Sequence, residues 1–198
     1  MAEPELADIR NDGLLAWLDQ ADPGIVELAR SLVTIPSFAP THGEHDVVAA
    51  LDAAATGLGL PPGKIVAAVP DRPNLLIRIR GPLPGRRLIL NGHTDTKPPG
   101  SRADWQHDPL QPVIEAGRLS GLGAADMKGA LAAMLYAAAA LRHAGLPARG
   151  EMILLFSADE EADGQVGLAH VLAATDLKAN AALIGEPSGQ EHSFDRLA

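Results

Sequence analysis

Cysteine is absent from the 198 residues, which excludes a disulfide framework and every thiolate metal site. Any metal here has only histidine and carboxylate ligands to draw on. Aromatic residues make up 3% of the chain, so no base-stacking series is available and Leu, Val, Ile and Ala must fill the interior. Positive charge is scarce too: 16 Lys and Arg stand against 25 Asp and Glu, a net charge of -9. No basic cluster tracks a phosphate backbone, and nucleic acid is excluded as an expected partner. The opening stretch MAEPELADIRNDGLLAWLDQ lacks the basic start and apolar centre of a secretory signal. Uninterrupted apolar runs fall short of the roughly 20 residues that a membrane helix needs. The expectation is a soluble, cytoplasmic protein with no membrane partner.

What the chain does have is a 46% apolar share and enough length for one domain with a real core. Apolar spacing predicts helices over Pro23–Leu32 and Glu44–Leu58, broken by IPSFAPTHG. Short β-type runs follow at Ile65–Val69, Leu75–Ile79 and Leu88–Leu90, with Gly81-Pro82 and Pro84-Gly85 marking a turn between the last two. A long Pro-, Asp- and Gly-containing loop runs from Thr96 to about Ala125. Loops of that length without structure of their own are usually functional or disordered. A helix then starts in the region of Asp126, striped by Leu131, Met134, Leu135, Ala138 and Leu141 and stopped at Gly145. A strand at Glu151–Ala158, a helix at about Gln165–Ala174 and a strand at Ala181–Gly185 complete the pattern. Strands alternating with helices predict an α/β fold, a mostly parallel sheet with helices on both faces.

Three of these strands end in groups with chemistry. Leu88–Leu90 leads to His93 and Asp95, Met152–Phe156 leads to Asp159, Glu160 and Glu161, and Leu183-Ile184 leads to Glu186. Asp126, at a helix start after a loop, makes a fourth station. Parallel strands align their carboxyl ends along one edge, so groups spread over nearly a hundred residues can meet in one crevice. Imidazole with several carboxylates suits a pair of borderline divalent metals. Asp126 is the natural bridge between two ions. Asp95, two residues beyond His93 on an extended segment, points the same way and can orient the ring. Side chains of neighbours diverge, so one of Glu160 and Glu161 can bind metal while the other takes a proton from water. Each feature has a blander alternative: a strand-capping turn for His93 and Asp95, a helix N-cap for Asp126, solvated acids for the glutamates. GLGAAD partly imitates a dinucleotide loop but lacks the third glycine. His42, His45, His107, His143 and His170 have no motif around them and are assigned surface or local roles, and the Met127, Leu131 and Met134 group is assigned to core.

The segments NGHTDTKPPG, GLGAADMKGALAAM, SADEEADG and IGEPSG, in this order and at these separations, resemble a known family. It is that of the zinc-dependent exopeptidases and deacylases that includes acetylornithine deacetylase, succinyl-diaminopimelate desuccinylase, aminoacylase and glutamate carboxypeptidase. The resemblance runs from about Asp22 to Ser188. It implies a zinc-peptidase-like catalytic domain holding two zinc ions, with cobalt or manganese as substitutes. Carried over by position, His93 binds one zinc together with Glu186, Asp126 bridges both, Glu161 binds the other, Asp95 orients His93, and Glu160 is the general base. The implied substrates are N-acyl amino acids and small peptides with a free carboxylate, cleaved at an amide bond.

The resemblance also implies groups that these residues do not supply. Relatives complete the catalytic domain with a later segment, after an inserted dimerisation domain, and take from these parts a histidine ligand and a histidine that stabilises the tetrahedral intermediate. The expectations are a partial catalytic domain over 1–189 and an atypical tail at 190–198. Impaired activity follows, in a monomer or in association with a complementing chain. His192, in that tail, is the candidate replacement ligand. Leu122 stands where relatives commonly carry arginine. The reading from another class is a non-catalytic metal-binding remnant or a regulatory partner of a full-length homologue.

Overall fold

A computed structural model describes residues 11–38, 41 and 43–187; His42, His192 and the expected tail lie outside the described residues. In chain order the elements are α1 (Asn11–Val33), α2 (Glu44–Gly57), β1 (Lys64–Val66), β2 (Asn74–Arg80), β3 (Leu83–His93), β4 (Val113–Glu115), β5 (Arg118–Ser120), α3 (Gly129–His143), β6 (Arg149–Ser157), α4 (Leu168–Ala174) and β7 (Ala181–Ile184). Five strands form one sheet in the order β1-β2-β6-β3-β7. β3 runs parallel to both β6 and β7, while β2 is antiparallel to β6 and to β1. Four of the five strands therefore point one way, with β2 reversed.

The period-2 alternation of each strand divides the core between the two faces. Met152, Leu154 and Phe156 of β6, Leu75, Ile77 and Ile79 of β2 and Leu90 of β3 pack under Leu32 of α1, Leu51 of α2 and Leu135 of α3. The intervening Ile153 and Leu155, with Leu76 and Ile89, meet Val171 of α4 and Leu177 on the opposite face. Burying both faces is what allows the near-continuous apolar run of β6.

Several boundaries differ from the sequence expectation, each for a tertiary reason. α1 begins at Asn11 and continues through Pro23, because Trp17 packs on the core and stacks with His143 at a ring separation of 5.9 Å. The Gly81-Pro82 turn does not join sheet neighbours, since β6 lies between β2 and β3. The long loop carries a β4–β5 hairpin and a short 3-10 turn at Arg102–Asp104. α3 starts at Gly129 rather than near Asp126, because Asp126 (φ -124°, ψ 90°) and Met127 (φ -136°, ψ 31°) leave helical geometry. Asp126 is thus not a helix N-cap, and its side chain is available for other partners. The stretch Ala124–His143 reaches the length and mean hydropathy (1.2) of a membrane span, unlike the shorter uninterrupted runs of the sequence. Here Leu131, Met134 and Leu135 from this stretch lie in the core against the sheet.

Candidate metal centre

The parallel register of β3 and β6 pairs Gly92 with Phe156 and His93 with Ser157, so the two strands end together. On the other side β7 pairs Ile184 with Asn91, and the amide of Gly185 donates to the Asn91 carbonyl at 3.1 Å. Chain leaving β3, β6 and β7 emerges at one edge, where open α/β sheets gather ligand chemistry. The turn at 124–128 closes the site from the helical side. Its approach requires Gly92: a Cβ there would lie 2.6 Å from Leu131 Cδ2 and 2.7 Å from Met127 Cε. Met127 is core, as expected, but its sulfur also accepts the His93 amide at 3.2 Å.

His93 is buried, 2% exposed. Its Nδ1 lies 2.9 Å from the backbone carbonyl of Asp95; a carbonyl can only accept, so Nδ1 carries the proton and Nε2 faces the site. Nε2 stands 3.0 Å from Asp126 Oδ1 and 3.5 Å from Glu186 Oε1. Burial works against a charged ring. The hydrogen bond and charge of Asp95, the charge of Glu186 and the hydrogen bond to Asp126 outweigh it and push the His93 pKa up to about 9. Glu186 is shifted upward as well, by burial and by the charges of Asp126 and Glu160, against the opposing pull of His93.

Asp95 supports more than the ring. Its carboxylate is 3.5 Å from Nδ1, farther than its own carbonyl, because both carboxylate oxygens accept backbone amides across the strand end. Oδ1 takes Glu160 N–H at 3.1 Å and Oδ2 takes Glu161 N–H at 3.0 Å. One buried carboxylate therefore ties the end of β3 to the glutamate pair. Glu160 is exposed, while Glu161 is partly buried and ion-paired with Lys97 at 2.9 Å.

The sequence-selected residues fall into two groups whose ligand atoms lie within 4.8 Å of one another: His93 with Asp126 and Glu186, and His93 with Glu160 and Glu161. The donors present fit a divalent cation. They are one imidazole whose distal nitrogen is fixed by an outer acceptor, plus half-exposed carboxylates at Asp126 and Glu186 that ions can reach from solvent.

A second network escaped the sequence reading. Arg72 donates through Nε and Nη2 to Glu44 Oε1 at 2.8 and 2.6 Å, and through Nη1 to Asp159 Oδ1 at 2.7 Å. Glu44 and Asp159 are 1% and 2% exposed, so the cation is what makes their burial tolerable. Asp159 Oδ2 also accepts the Val166 amide at 3.1 Å, and the start of α2 is thereby clamped to the loop bearing Glu160 and Glu161. In sequence Arg72 sits in a turn, PDRPN, like any solvated arginine; only the fold brings it to a carboxylate 87 positions away. Lys128 was missed also: it is fully buried, donates to the Ile35 carbonyl at 2.6 Å, and burial lowers its pKa to about 8.

Residues 89–195 match the sequence profile of peptidase family M20/M25/M40. The chain belongs to that family. A succinyl-diaminopimelate desuccinylase of Buchnera aphidicola subsp. Acyrthosiphon pisum is 38% identical over 168 residues, which are 83% of this chain and 43% of the relative. The corresponding enzyme of Alkalilimnicola ehrlichii is 44% identical over 114 residues, 56% of this chain and 30% of its own. This M20/M25/M40 chain thus spans less than half the length of the curated relatives it matches. A metallo-carboxypeptidase of the M20 family from Sulfolobus solfataricus superposes with a TM-score of 0.69 at 22% identity, over 81% of this chain and 37% of that one. That likeness shows a shared fold.

Proposed function

We propose that the site holds divalent zinc and hydrolyses the amide bond of an N-acyl amino acid or a small peptide. The observation that carries this reading is the convergence of His93, Asp126, Glu186, Glu160 and Glu161 at the aligned ends of three strands. His93, Asp126 and Glu186 would hold one ion; Asp126 and Glu161 would contribute to a second. A cation so placed lowers the pKa of water and polarises a carbonyl.

The chain's own groups do the rest. Asp95 keeps His93 in the tautomer that presents Nε2, and it holds the Glu160 and Glu161 backbone by two amides. Glu160, exposed at the loop and free of any ion pair among the described residues, accepts a proton from the attacking water and returns it to the leaving amine. Arg72 fixes the neighbouring Asp159 so that the glutamate pair keeps its direction.

A panel of N-acetyl and N-succinyl amino acids and dipeptides, with zinc, cobalt or manganese added, tests the proposal. Glu160→Gln should abolish turnover, a loss on the order of 10²–10⁴-fold for a removed general base, while metal binding persists. Turnover that survives this substitution overturns the assigned base. One observation favours the second reading, a metal-binding chain without catalysis: only one imidazole, His93, serves both groups of ligands among the described residues. Zinc binding without hydrolysis of any member of the panel would decide for it.

A further inference from the structure

The two candidate ligand groups share a single histidine, and that histidine has one nitrogen to give. Nδ1 is engaged by the Asp95 carbonyl at 2.9 Å, which leaves Nε2 alone for an ion. Nε2 is closest to Asp126 and Glu186. An ion held by Asp126 and Glu186 therefore takes the imidazole, and an ion beside Glu160 and Glu161 has only carboxylates among the described residues. Carboxylate-only sites bind a borderline metal less tightly than sites with imidazole. The affinity at the second position then depends on how freely Glu161 can be given.

Glu161 is not free. The Lys97 ammonium lies 2.9 Å from its Oε2 and also donates to its backbone carbonyl. Two contacts to one residue set the ammonium against the carboxylate on which the second ion depends. The backbone below it is fixed: Thr96 is buried, bridges Phe38 and donates its amide to the Ser37 carbonyl at 3.1 Å. Lys97 cannot be carried away from Glu161 by its loop and can leave only by swinging its side chain, which is 64% exposed. The ammonium and a metal ion want the same carboxylate, and a lysine retained nearby would still repel a dication at short range.

We infer that Lys97 is a built-in competitor for Glu161 and sets the affinity of the second metal position without touching the first. This rests on the metal-hydrolase reading of the site. The pair is solvent-exposed, so the effect is moderate: removing the charge should tighten the second ion about two- to fivefold at low salt, and less at high salt.

Zinc titration by calorimetry of the wild-type chain, Lys97→Met and Lys97→Arg, with chelator competition for the tighter ion, tests it. The tighter ion should bind equally well to all three proteins. The weaker ion should gain about two- to fivefold in Lys97→Met, or appear only there, and should not gain in Lys97→Arg, which keeps the charge. The gain should vanish when Glu161→Gln is combined with Lys97→Met, as a direct pair requires. An unchanged weaker ion in Lys97→Met overturns the inference, as does an equal shift of both ions. Absence of the tighter ion from every variant would sink the metal-hydrolase reading itself, and this inference with it.

Discussion

Under the proposed zinc reading, an ion that enters the metal-free protein has to displace a proton from His93. The ring sits against Asp126, Glu186 and Asp95, and its pKa is about 9 despite burial. A ligand nitrogen must be deprotonated to bind, so the apparent affinity follows the neutral fraction of the ring. Two pH units below that pKa the fraction is about one in a hundred, which places the apparent affinity at pH 7 about a hundredfold under its high-pH limit. Between pH 6.5 and 8.5 the affinity of the tighter ion should climb close to tenfold per unit, then level off above about 9. Glu186 is shifted upward too, so protonation of this carboxyl adds to the loss as pH falls further. Calorimetry in buffers of different ionisation enthalpy reads the same event directly, with about one proton released per tight ion at pH 7. A flat affinity across this range, or proton release near zero, would refute the reasoning, because it would mean that His93 is already neutral or is not a ligand.

The same shift predicts how stability depends on pH without metal. The folded His93 binds its proton more tightly than the unfolded chain does, from an ordinary value near 6.5 up to about 9. That contribution is fully present below about 6.5 and is lost as pH rises through about 9. Thermal denaturation in a chelator should show a falling midpoint over this window, and His93→Ala should flatten it. Arg72→Met should destabilise the fold by about 3–5 kcal/mol, since it strands the buried carboxylates of Glu44 and Asp159. A loss under about 1 kcal/mol in urea denaturation would show that the two acids find other partners or protonate.

The fold class was legible because its signals are local and repeated. Apolar runs at Leu75–Ile79 and Met152–Phe156 have the period and length of strands, and Glu44–Gly57 and Gly129–His143 have the helical stripe. The pattern did not show where β2 goes. Its reversal and the insertion of β6 between β2 and β3 follow from packing between segments some seventy residues apart. The extension of α1 back to Asn11 likewise depends on Trp17 finding Tyr136 and His143.

By itself the sequence determined the inventory of the site. With no cysteine, a histidine and acids placed just after strand ends make a donor set that suits a borderline divalent metal, and four ordered motifs point to the family. Tertiary structure alone decided how those groups share their bonds. Asp95 gives its carbonyl to His93 and its carboxylate to the amides of Glu160 and Glu161; Lys97 reaches Glu161, and Arg72 reaches Asp159. The physical reason is range. Strand and helix periodicity is written in neighbours a few residues apart. A hydrogen bond or ion pair acts over about 3–4 Å of space, and those distances exist only once the sheet has brought the strand ends together.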